Sequence, residues 1–82
     1  MGKNFNKLNE DELYILIGSN VAKLRKKANL SQLDLSLAIE NKSPSLISSA
    51  EIYTIKRYFN ILQLQKIAKV LEVDICEFFE VE

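Results

Sequence analysis

The sequence predicts an all-α fold in one small domain, and three observations carry that expectation. Of its 82 residues 48% are apolar, yet only two are glycine and one is proline, a balance that suits packed helices and not turn-rich β chains or disorder. Apolar residues recur at three- and four-residue steps through most of the chain. Helix-starting polar residues, Asn9, Ser31, Ser43, Asn60 and Asp74, stand ahead of those runs. A chain of this length builds one core and not two, so residues 1–82 are expected as a single domain.

Residues 1–8 carry polar residues with a lone Phe5 as aromatic and no clear period, which predicts a flexible N-terminal arm. Asn9 then caps a helix expected over residues 10–27. Glu10, Asp11 and Glu12 complement its positive end, and Leu13, Ile17, Val21, Leu24 and Ala28 form its apolar stripe. Gly18 interrupts that run and predicts a bend or break, because glycine costs about 1 kcal/mol against alanine inside a helix. Lys23, Arg25, Lys26 and Lys27 suit the negative end of the helix dipole, so a solvated helix end is the stronger reading for them.

Ser31 and Asp34 have capping-box spacing and open a second helix, with Leu35, Ala38 and Ile39 on its inner face. Ser43 and Pro44 open a third as cap and first-turn proline, with Ile47 and Ala50 inward and Leu46 beside them. Residues 53–59, YTIKRYF, alternate aromatic and basic character and form a connector in which a short strand would lack a partner. Asn60 caps a fourth helix with Ile61, Leu64, Ile67, Ala68 and Leu71 on its buried stripe. Asp74, with Glu77 at the capping-box position, opens a fifth.

Composition argues against several function classes. There is no histidine, and the lone Cys76 lies near the C-terminus, so the usual nucleophile and base pairs are missing and an enzyme is not expected. No glycine-rich phosphate loop or metal-ligand spacing occurs, so neither cofactor nor metal is expected. A single cysteine cannot close an intramolecular disulfide and no secretory pattern opens the chain, which predicts a cytoplasmic protein. Nowhere do about 18 apolar residues run together, so no membrane span is expected.

Formal net charge is zero, but the charges are segregated. Residues 41–71 hold five Lys and Arg against one Glu, while residues 72–82 hold five acids and no base. A neutral chain can thereby present a basic face, and the local field steers a partner more than the total does.

The pair of short helices at 32–39 and 44–52, joined by a tight polar turn, has the size of a helix-turn-helix. Its second helix could enter a major groove, and Ser31 at the start of the first suits a phosphate. LSQLDL at 30–35, ISSAE at 47–51 and NILQLQKIAKVLEVDICEFF at 60–79 resemble the lambda-repressor-like (Cro/cI, XRE) helix-turn-helix family in order and spacing. The likeness runs from about Ile17 to Phe79. It implies a compact five-helix domain that binds double-stranded DNA through its second and third helices, commonly as a two-fold dimer.

By that resemblance Gln32 is the residue that opens the second helix and contacts phosphate or a base edge. Ser43, Pro44, Ser45, Ser48 and Ser49 fall on the turn end and outer face of the recognition helix. Leu46 falls where family members often place a tyrosine near the DNA backbone, and Asn60 matches a cap that often touches phosphate. Three departures stand out. The turn has Glu40 where the family usually has glycine, the stretch from Glu40 to Pro44 is one residue longer, and YTIKRYF replaces a shorter R-G-K-x-x-P connector.

The third helix carries no Arg, Lys, Asn or Gln, the side chains that usually read base edges. Its flanks supply the charge instead: Lys42 before it, Lys56 and Arg57 after it, all read as phosphate contacts. Ile75, Phe78 and Phe79 could close the core or form a dimer seam. The leading expectation is a sequence-specific DNA-binding transcriptional regulator, a repressor acting as a homodimer on a two-fold operator. The competing one is a protein-interaction module that keeps this fold without binding DNA.

Overall fold

The computed structural model describes residues 5–40, 44–53 and 56–81. Four α-helices are present among them: α1 (Glu10–Lys27), α2 (Gln32–Ala38), α3 (Pro44–Glu51) and α4 (Ile61–Leu71). Short 3-10 helices occur at Phe5–Lys7, inside the expected arm, and at Ile75–Phe79. No strand occurs among the described residues, the connector's included. None of these helices is long and apolar enough to cross a membrane.

Capping explains where the elements begin. Asn9, Ser31 and Asn60 each accept the amide hydrogen of the residue three positions on, and the side chains of Glu12, Asp34 and Gln63 reciprocate to the cap's own amide, at 2.8–3.1 Å throughout. The two hydrogen bonds with Ser31 hold the Asp34 carboxyl below its ordinary pKa. Asp74 accepts from the amide of Cys76 at 2.9 Å, with the Glu77 side chain closing the box. The last element is a five-residue 3-10 helix whose end is bound from outside: Asn20 on α1 donates to the carbonyls of Phe78 at 2.8 Å and Glu80 at 3.0 Å.

The core gathers Ile17 and Val21 from α1, Leu35 and Ile39 from α2, Leu46, Ile47 and Ala50 from α3, Leu64, Ile67, Ala68 and Leu71 from α4, with Phe59 and Phe78. Packing of α2 on α3, of α1 on α3 and the C-terminal 3-10 helix, and of α4 on α2 encloses it. Leu46 is thus a core side chain. Two stripe residues move outward: Ala38 is exposed while Ser36 beside it is buried, and Ile61 is 68% exposed ahead of the buried face of α4. Phe78 is 0% exposed, so its expected place at a dimer seam gives way to a core role. Ile75 and Phe79 are half-buried against the same core.

Gly18 does not break α1, which runs on through it. A Cβ there would meet the carbonyl oxygen of Ala50 and lie 2.8 Å from that of Glu51. The glycine therefore lets α1 touch the backbone of α3. Glu40, two residues past α2, takes φ 57, the left-handed conformation that glycine usually serves at the end of a helix. Its amide still donates to the carbonyl of Leu37 at 3.0 Å.

Two stability measurements check this account. Gly18→Ala is expected to lower unfolding free energy by about 1–3 kcal/mol through overpacking, despite alanine's helix preference. Unchanged or raised stability in chemical denaturation would show that α3 can simply give way. Glu40→Gly should raise stability by up to about 1 kcal/mol, by relieving the left-handed cost of a residue with a Cβ, and a fall in Tm would contradict it.

Candidate nucleic-acid interface

The helix pair is held in register by a buried ionic cluster. Arg25 sits on the same face of α1 as Ile17 and Val21, at successive four-residue steps, so its side chain enters the core side of the helix. It meets Glu51, the last residue of α3, with Nε to Oε2 at 2.6 Å and Nη2 to Oε1 at 3.2 Å. The paired side chains are only 8% and 3% exposed. Arg25 also donates to the carbonyl of Leu30 at 2.7 Å, in the turn before α2, and Gln32 Nε2 donates to Glu51 Oε1 at 2.9 Å. One carboxylate thus binds α1, the start of α2 and the end of α3 together.

That cluster revises two sequence readings. Arg25 is not part of a solvated helix end, although Lys26 and Lys27 beside it are exposed. Gln32 opens α2 as expected, but its amide is engaged inside the protein and ties α2 to α3. The partners of Arg25 and Asn20 lie 26 and 58–60 positions away, beyond the reach of local spacing. Polar residues placed on an otherwise apolar four-residue step were the available signal.

The serines occupy graded positions on α3. Ser45 is exposed, whereas Ser48 and Ser49 are half-buried. Ser48 Oγ donates to the carbonyl of Ser45 at 3.2 Å, a bond back into its own helix that leaves the oxygen lone pairs as acceptors. Pro44 begins the helix as expected. Ser31 is exposed at the start of α2 with its oxygen accepting from the Asp34 amide. Lys42 and Ser43 lie outside the described residues.

The connector is anchored to the start of α1. Tyr53 donates its hydroxyl to Asp11 Oδ1 at 2.9 Å, and Lys56 Nζ stands 3.7 Å from the same oxygen. Burial, followed by that hydrogen bond to Asp11, pushes the Tyr53 hydroxyl up to about 12, so it remains a donor at neutral pH. Lys56 and its partner are both open to solvent, where such a pair contributes little and can be exchanged. Arg57 is half-buried, and Asn60 is exposed with its cap bonds made. These links place Lys56 beside the start of α1 and Gln32 beside the end of α3.

The acidic C-terminal segment has its own neighbours. Glu77 and Glu80 line a shallow depression together with Asn20, Lys23 and Lys27, so described tail carboxylates face the basic end of α1. No cluster of His, Cys, Asp or Glu suited to a metal ion occurs among the described residues.

A family model described as helix-turn-helix matches residues 21–78, from the second half of α1 to the C-terminal 3-10 helix. No curated protein matches the chain.

The ionic cluster makes a direct prediction. Arg25→Met leaves Glu51 buried without its cation and should cost about 3–5 kcal/mol, whereas removing both charges in Arg25→Met/Glu51→Met should recover most of that loss. A single substitution costing less than about 1 kcal/mol by denaturant titration would show that the cluster does not hold α3.

Proposed function

The chain belongs to the lambda-repressor-like (Cro/cI, XRE) helix-turn-helix family of DNA-binding regulators, and on that premise we propose that it is a sequence-specific regulator that represses by occupying a two-fold operator as a homodimer. The observation that carries the reading is the α2–α3 pair held at both ends of its register by the Arg25–Glu51–Gln32 cluster. A helix that reads a groove must arrive at a defined angle, and a buried, fully partnered ion pair supplies one.

In this reading α3 lies in the major groove, about 12 Å wide, and Ser45, Ser48 and Ser49 present short hydroxyls that permit close approach. Such contacts discriminate weakly against a bidentate arginine or glutamine, so groove shape and phosphate contacts carry more of the selectivity. Lys56 and Arg57 supply phosphate contacts after α3, with Lys42 before it and Ser31 and Asn60 at the two helix starts. Lys56 exchanges Asp11 for a phosphate oxygen. For the dimer, Ile52, Ile61 and Leu62 are more than half exposed and offer apolar surface that one chain leaves open. Ile75 and Phe79 contribute less, since each already packs on the core.

Duplexes recovered from a random pool should carry two inverted half-sites about one helical turn apart. Their affinity should fall steeply with salt, and Lys56→Met and Arg57→Met should each weaken binding across sequences and flatten the salt slope by about one. Recovery of single half-sites would remove the dimer. Binding indifferent to salt, or none, would favour the protein-interaction reading.

A further inference from the structure

The connector after α3 carries an aromatic arrangement that neither the core nor the helix pair requires. Tyr14, in the second turn of α1, stacks on Tyr58 with ring centroids 4.2 Å apart and planes inclined by 13°. The same ring meets Tyr53 at 5.6 Å and 30°. One side chain therefore holds two residues five positions apart, and Lys56 and Arg57 stand between them. None of the three tyrosines belongs to the buried core or its half-buried apolar lining. Lys56 has φ 57, a left-handed conformation that a lysine keeps only where its surroundings impose it.

We propose that Tyr14 is a positioning residue for DNA binding: its ring clamps Tyr53 and Tyr58 so that Lys56 and Arg57 meet duplex phosphates already arranged. The inference rests on the DNA-binding reading above and names the device that serves it. A loose segment bearing two cations must be ordered when it binds, which weakens the complex. Here the ordering accompanies folding, because α1 supplies the ring. Asp11 completes the device. It accepts the Tyr53 hydroxyl and stands beside Lys56 as a stand-in for phosphate, at an exposed 3.7 Å separation that a phosphate oxygen can displace.

The test is a double-mutant cycle on duplex affinity, read at several salt concentrations with a roughly 20-base-pair duplex recovered from a random pool by the wild-type protein. Tyr14→Ala is expected to weaken binding about tenfold and to flatten the salt slope by up to about two, the share of two phosphate contacts. Tyr14→Phe, which keeps the stack, should restore both. In a Lys56→Met/Arg57→Met background Tyr14→Ala should change neither, because the contacts it positions are gone. Should Tyr14→Ala fail to fold, Tyr58→Leu at the exposed end of the stack carries the same expectation. An equal loss in both backgrounds, or no loss in either, overturns the clamp while leaving DNA binding in place. Wild-type protein that recovers no duplex overturns the reading beneath it and the clamp together.

Discussion

The rest of the structure depends on the ion pair between Arg25 and Glu51. Burying two opposite charges carries a large desolvation cost, and apolar substitutes are often as stable. What the charged pair adds is geometry. Arginine's planar fork matches the geometry of a carboxylate, and here its third nitrogen donates to the Leu30 carbonyl while the Gln32 amide donates to a further lone pair on Glu51 Oε1. Four points in the chain, on three helices and a turn, are thereby fixed by one cluster. Sliding α3 along its neighbours would expose the charges to an apolar interior, so the cluster penalises every register but this one.

Around that fixed pair the surface is divided by charge. A protein of zero net charge would be a poor ligand for a polyanion if its charges were mixed evenly. Instead Glu77 and Glu80 of the tail line one depression with Lys23 and Lys27, while Lys56 and Arg57 lie on the connector after α3. The tail offsets the end of α1 that the proposed interface does not use. In the proposed interface the serine helix then requires no cation of its own, and its small side chains serve close fit.

Local rules were the legible part of the sequence. Asn9, Ser31, Asn60 and Asp74 all cap as expected, Ser31 and Asp74 in the boxes their spacing predicts, since a capping box is settled within four residues. The apolar stripes of α3 and α4 were visible for the same reason, apart from Ile61. Tertiary partnerships were not legible. Arg25 lies in a basic run and its partner is 26 positions away, so charge alone suggested a solvated end, while its place on the Ile17 and Val21 step suggested burial. Gln32 was placed correctly at a helix start, but only the closeness of α3 gives its amide an internal acceptor. Phe78 illustrates the limit from the other side: an apolar residue near a chain end suits a core or a seam equally until Asn20 is seen to draw its backbone against α1.

The contact at Gly18 carries a consequence for how such a protein can vary. Where helices meet through side chains, their separation follows the volume of the residues between them, and every exchange of leucine for valine shifts the angle slightly. Here α1 meets the carbonyls of Ala50 and Glu51 main chain to main chain, at the end of the helix that the ion pair also grips. The pitch of that helix is therefore set by atoms every residue possesses. Side chains elsewhere in the interior can be exchanged for others of similar bulk, changing how firmly the domain holds together without re-aiming that helix.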